Sequence, residues 1–192
     1  GSRRAEVEGL STSFFNLLAQ MKLDPDRHRI VVSALREDFR ELIEDAAASH
    51  GLKIELIGGD CRPLMKACDL ALVASGTASL ELAWFEKPML VFYKVSGLGY
   101  WLFKNFFSVT PWFTLPNILG SAANEGEVTV FEKLLRRDEE LEEIAPVAIG
   151  LLEDELKRGE VIDRLQKLKA ACMMPGANAK AAAVLNDFLS SL

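Results

Sequence analysis

The chain has 192 residues, 49% hydrophobic and 26% charged, which is apolar material for one sizeable domain and excludes a disordered polypeptide. A formal net charge of −6 argues against a nucleic-acid binder, which needs a basic face. No apolar run approaches the ~20 residues of a membrane span, no signal-peptide pattern is read, and the three cysteines, Cys61, Cys68 and Cys172, lack metal-ligand spacing; a cytoplasmic protein is the default expectation.

Gly1-Ser2-Arg3-Arg4 opens into a helical pattern with Val7, Leu10, Phe14, Leu17, Leu18 and Met21 along one face, ended by Asp24-Pro25-Asp26. Residues 29–34 (RIVVSA) read as a strand, 37–49 as a helix and 52–57 (LKIELI) as the next strand. Gly58-Gly59-Asp60 is a turn, and 62–67 a short helix. Residues 69–74 (DLALVA) form a nearly continuous apolar run, the pattern of a strand covered on both faces. Ser75-Gly76-Thr77 interrupts it, 78–85 continues with strong helix formers, and Lys87-Pro88 stops that helix before a second apolar run, 89–93. Such alternation predicts right-handed βαβ units and a parallel sheet, which binds ligands beyond the carboxyl ends of its strands. The Ser75 turn belongs at that edge.

A strand that empties into S-G-T at a helix start suits an anion. The first N–H groups of a helix have no internal partner, glycine lets a phosphate come close, and the two hydroxyls add donors. Glu81 lies four residues after Thr77, on the same helix face. A carboxylate there repels a phosphate but accepts hydrogen bonds from sugar hydroxyls. By spacing alone, the same residues describe more simply an N-capped helix of any α/β domain with a solvated Glu81. His28 and His50 are the only histidines, both in polar segments, so a Ser-His-Asp machine or a histidine-rich metal site is hard to build.

After Tyr93 aromatics concentrate in 96–109 (SGLGYWLFKNFFSV), read either as a helix buried against the sheet or as a surface for lipid or another domain. Residues 112–119 (WFTLPNIL) read as a final short strand running into a polar loop, with Pro116 fixing the turn and Asn117 offering an amide to a ligand. Residues 122–126 are a polar linker. A helical tail is expected to begin at 129–137 and to continue in segments near 139–157, 160–172 and 178–191, giving a division into 1–127 and 128–192.

Taken together, G-S-R-R-A-E-V-E at the start, A-S-G-T-A-S-L-E in the middle, K-P-M-L-V-F-Y-K after it and L-P-N-I-L downstream resemble the carboxyl half of the lipid-A-disaccharide synthase family, over residues 1–119. That resemblance implies the carboxyl-terminal, Rossmann-like domain of a GT-B fold, a parallel sheet with helices on both faces, followed by a helical tail. It implies an inverting transfer of 2,3-diacylglucosamine from its UDP derivative to 2,3-diacylglucosamine 1-phosphate, without a metal or other cofactor. Arg3 would meet the pyrophosphate as the catalytic charge, Ser75, Gly76 and Thr77 the phosphates, Glu81 the ribose, and Asn117 the nucleotide side. It also implies a protein at the inner face of the bacterial inner membrane, with 96–109 as the membrane contact.

Two departures stand out. Where the family commonly has V-x-E-L-L-Q after L-P-N, the nearest match is Phe131 to Arg136, with Lys133 and Arg136 at the Glu and Gln positions. The amino-terminal domain that would carry the acceptor site and the base has no counterpart in these residues, so the polypeptide alone is expected to bind donor without turnover. Another UDP-sugar GT-B enzyme, of the peptidoglycan N-acetylglucosaminyltransferase or epimerase type, and a non-catalytic UDP-sugar-binding subunit remain alternatives. Helical tails of this kind cross to a partner domain or a second copy, so a homodimer is among the expectations.

Overall fold

The computed structural model describes residues 4–34, 36–74, 76–95, 111–172 and 176–190. The aromatic segment 96–109 therefore lies outside the described residues, as do Arg3 and Ser75. The first half contains α1 (Arg4–Met21), β1 (Ile30–Ser33), a 3-10 turn (Glu37–Phe39) running into α2 (Arg40–Ser49), β2 (Ile54–Ile57), α3 (Arg62–Ala67) and β3 (Ala71–Val73). Then come α4 (Thr77–Trp84), β4 (Met89–Lys94), α5 (Leu115–Gly120) and β5 (Phe131–Leu135). A second 3-10 turn (Asp138–Glu143) leads to α6 (Ala145–Glu153), α7 (Glu155–Cys172) and α8 (Ala177–Ser190).

The protein is α/β, with parallel strands flanked by helices. β1 pairs with β2, Ile30 opposite Ile54, and β3, β4 and β5 form a parallel sheet in that order. Val73 stands opposite Val91, and Val91 opposite Glu132. β4 is the centre, and Met89, Leu90, Val91 and Phe92 are all 0% exposed, which is why its sequence is an unbroken apolar run. Its side chains alternate between two cores. Leu90 and Phe92 pack with Leu17 and Met21 of α1, Leu135, and Ile144 and Ala148 at α6. Met89 and Val91 pack with Leu82 and Ala83 of α4, Val130, and Leu165 and Leu168 of α7. Helices therefore cover both faces, each buried large side chain contributing roughly 1.5–3 kcal/mol. α1 also reaches the β1–β2 pair, where Val7 and Phe15 join Phe39, Ile43 and Ala47. No helix among the described residues is long and apolar enough to cross a membrane.

Two elements differ from the sequence reading. Residues 115–120, expected as strand and loop, are the helix α5. Pro116 sits in the first turn, where a missing N–H costs nothing, and Pro116, Asn117 and Gly120 turn inward while Leu115, Ile118 and Leu119 face out. Residues 131–135, expected to begin the helical tail, are strand β5. Glu-Lys-Leu-Leu favours helix locally, but the ladder to β4 and the alternate burial of Val130 and Phe131 into opposite cores override that preference. The expected segment 139–157 also divides, at Asp154. Its N–H closes α6 on Gly150, and its carboxylate accepts from Leu156 (3.0 Å) and Lys157 (3.2 Å) to open α7.

α4 ends by the expected route and with a left-handed residue. The Lys87 N–H reaches back to the Leu82 carbonyl at 3.0 Å while Glu86 adopts φ +56°. The Glu86 carboxylate then accepts from Lys169 and Gln166 of α7, and these donors, Lys169 first, hold its carboxyl below the usual glutamate value. A depressed pKa stabilises the fold above the unfolded value near 4.5, and that contribution is lost as pH falls through the lower folded value. Melting curves of Glu86→Gln between pH 3 and 6 should therefore show a flatter acid limb than wild type. Above pH 5 the difference should stay within about 1 kcal/mol, as for other surface pairs. An unchanged acid limb would remove Glu86 from the account.

Candidate functional site

The carboxyl edge of β3 leads directly to the start of α4. Gly76 is its N-cap, at φ +157° and ψ −169°, a region open essentially to glycine alone. A Cβ built on Gly76 would meet nothing within 4 Å among the described residues, so the turn is open on that side to them. Among the described residues no side chain caps the helix. The nearest hydroxyl on the buried side, Ser79, is fully enclosed and donates back to the Gly76 carbonyl at 2.7 Å. Thr77 and Glu81 are exposed on the outer face, one turn apart. This helix start is available to an anion.

The approach to α5 is different. The Glu132 carboxylate accepts the N–H groups of Phe113 and Thr114, each at 3.0 Å, and the Thr114 hydroxyl at 2.5 Å. A resident anion already fills that position. Glu132 was not singled out by sequence, although V-x-E is present as Val130-Phe131-Glu132, one residue earlier than the alignment centred on Lys133. Lys133 pairs with Glu143, and Arg136 with Glu140.

An open pocket of about 720 Å³ adjoins Glu81, between the loop after β2 and α4. Asp60, Cys61 and Arg62 line one side, and Glu81, Trp84 and Phe85 the other. Arg62 grips Asp60 through Nε (2.8 Å) and Nη2 (2.7 Å), which with the Arg62 main-chain N–H brings the Asp60 carboxyl down to about 2. Asp60 and, more weakly, Glu81 raise the Arg62 guanidinium in turn. Lys169 lies 5.2 Å from the centre of the Trp84 ring, and Lys66 5.2 Å from that of Phe85.

Asn117 requires correction. It is 0% exposed, and its amide is spent inside the protein. Nδ2 donates to the Val130 carbonyl at 2.9 Å, and Oδ1 accepts from Thr129 (2.9 Å) and Val130 (2.8 Å). It fastens α5 to the entry of β5 and presents nothing to a ligand. The histidines are likewise structural. His28 contacts the Asp24 carbonyl at 3.1 Å, and His50 bridges the Ala46 carbonyl (2.7 Å) and Asn16 (2.9 Å). Among the described residues no group of three or more His, Cys, Asp or Glu is placed to hold a metal.

A parallel α/β domain of Rossmann-like type, with an uncapped helix start beside an acidic and aromatic pocket, is the class this architecture defines. Comparison with known proteins narrows it. The family model described as Lipid-A-disaccharide synthetase matches residues 1–186, and the chain belongs to that family. It is 38% identical to the lipid-A-disaccharide synthase of Pseudoalteromonas translucida over 124 residues, 62% of this chain and 32% of that protein. Against the synthase of Pectobacterium atrosepticum it is 35% identical, over 84% of this chain and 41% of that protein. Against that of Pseudomonas fluorescens it is 30% identical, over 97% and 47%. The chain thus spans less than half the length of these relatives.

Proposed function

We propose that this chain is the donor-binding half of a lipid-A-disaccharide synthase. In this reading the enzyme transfers 2,3-diacylglucosamine from its UDP derivative to 2,3-diacylglucosamine 1-phosphate, with inversion and release of UDP. The observation that carries the reading is the uncapped start of α4 with Glu81 one turn away over the pocket, in a chain of this family. The amides at the start of α4, with Thr77 and Ser75, stabilise the pyrophosphate as it leaves, where charge grows in the transition state. Arg3 adds a charge-assisted contact from the start of the chain. Glu81 accepts from the ribose hydroxyls. The base that deprotonates the acceptor, and the acceptor site, belong to an amino-terminal partner domain, because the base must lie within about 3 Å of the acceptor hydroxyl or one water away. The lipid substrates place the reaction at a membrane surface, with 96–109 as the contact.

Calorimetric titration with UDP tests the reading. Wild type should bind, and Glu81→Ala should bind about tenfold more weakly, the loss expected for hydrogen bonds to a charged group at an exposed site. Glu81 is exposed, so the thermal midpoint should stay within about 2 °C of wild type. Absence of UDP binding by the folded wild-type chain would end the proposal.

A further inference from the structure

We infer that Arg62, pinned by Asp60, is a further donor-binding residue that reads the nucleoside part of the nucleotide sugar; this rests on the proposed function of the same cleft. Arg62 opens α3 after the loop that follows β2, and lines the pocket together with Glu81. It is 66% exposed, and its guanidinium forms a two-pronged fork with Asp60. Nε donates to both Asp60 oxygens (2.8 and 3.0 Å), Nη2 to one of them (2.7 Å), and the Arg62 main-chain N–H to the other at 3.0 Å. A surface arginine normally loses much rotamer freedom on binding a ligand, and the fork to Asp60 reduces that loss. The grip uses Nε and Nη2, so the Nη1 hydrogens stay in the plane of the fork for a ligand.

Charge decides which part of the ligand they meet. Asp60 neutralises Arg62, and with Glu81 the six lining side chains sum to −1 (Asp60 and Glu81 negative, Arg62 positive). Lys66 beside Phe85, and Lys169 beside Trp84 with its partner Glu86, bring the surroundings close to neutral, so a phosphate finds no surplus cation there. The pocket suits a neutral, hydroxyl-bearing group with a flat heterocycle: Glu81 accepts from hydroxyls, Arg62 donates to a ring carbonyl or ring oxygen, and Trp84, 40% exposed, with Phe85 provides aromatic surface. The pyrophosphate goes instead to the uncharged amides at the start of α4. The two sites divide one nucleotide between them, and Arg62 acts on the nucleoside side.

The test titrates three probes, UDP, uridine and inorganic pyrophosphate, into wild type, Arg62→Ala and Arg62→Lys, with amide NMR spectra to verify folding. Arg62→Ala should weaken UDP and uridine by the same factor, about tenfold, and change pyrophosphate binding by less than about twofold. Arg62→Lys should recover less than half of that loss on a logarithmic scale, because an ammonium cannot reproduce the planar fork. Unchanged UDP affinity in folded Arg62→Ala overturns the inference while leaving the donor-site reading intact. Equal weakening of pyrophosphate and UDP, or full recovery by lysine, overturns it in favour of plain charge. A wild-type chain that binds no UDP removes the donor-site reading itself, and the inference with it.

Discussion

Asn117→Ala should lower the stability of the fold by about 3–5 kcal/mol, the range for breaking a buried hydrogen-bond network. The side chain is fully enclosed and serves three main-chain groups where the chain turns into β5: the N–H of Thr129, the N–H of Val130 and the carbonyl of Val130. Alanine leaves two donors and one acceptor unpaired, each costing about 1–3 kcal/mol before water or local shifts repair part of it. Asn117→Asp should be no rescue, since it puts a carboxylate oxygen against the Val130 carbonyl where an N–H donor stood. For a chain of this length the alanine variant should melt about 6–20 °C lower. Well below that midpoint, its affinity for UDP should match wild type. A variant of ordinary stability that had lost UDP would restore Asn117 to the ligand site.

The stretch 69–94 was readable because each of its signals is local. An apolar run, a glycine between hydroxyls, helix formers and a Lys-Pro stop follow one another without need of a partner, and β3, α4 and β4 form there. Met89 to Phe92 look continuous in sequence because helices bury them from both sides. The errors fall where distant segments decide. Leu-Pro-Asn looks like a turn until Thr129 and Val130 supply bonds for the Asn117 amide, and Glu132-Lys133-Leu134-Leu135 looks helical until β4 offers a ladder. The site divides in the same way. That Gly76, Thr77 and Glu81 share one helix start was legible from spacing. The pocket that gives Glu81 its surroundings is assembled from the loop after β2, some twenty residues earlier, and Glu132 matters only because 113–114 returns to it. Asp60-Cys61-Arg62 carried a weak local sign, opposite charges two residues apart after a strand, that means little until Glu81 is seen opposite.

Gly76→Val should remove most UDP binding, by about 100-fold or more, at a stability cost of roughly 1–3 kcal/mol from backbone strain. The two effects have separate origins. At φ +157° and ψ −169° a β-branched residue is strained whatever surrounds it, so the turn must move to accept valine. The valine meets no crowding from the described residues, because a Cβ at Gly76 has no neighbour among them within 4 Å. In the proposed function, that space is the approach by which a phosphate reaches the Thr77 and Ala78 amides. A branched side chain both occupies it and turns the amides away. Losing two hydrogen bonds to an anion, each worth about 1.5–3 kcal/mol, gives a combined loss of about 3 kcal/mol or more, which is the 100-fold expected. Gly76→Ala carries most of the strain with less bulk, so it should approach valine in stability and lie between wild type and valine in affinity. Titrating both with UDP and with inorganic pyrophosphate, below their melting midpoints, separates fold from site. The pyrophosphate loss should equal the UDP loss for valine, whereas Arg62→Ala should spare pyrophosphate. Wild-type affinity in a folded Gly76→Val chain would show that the phosphates bind elsewhere and that the open start of α4 is only the end of a helix.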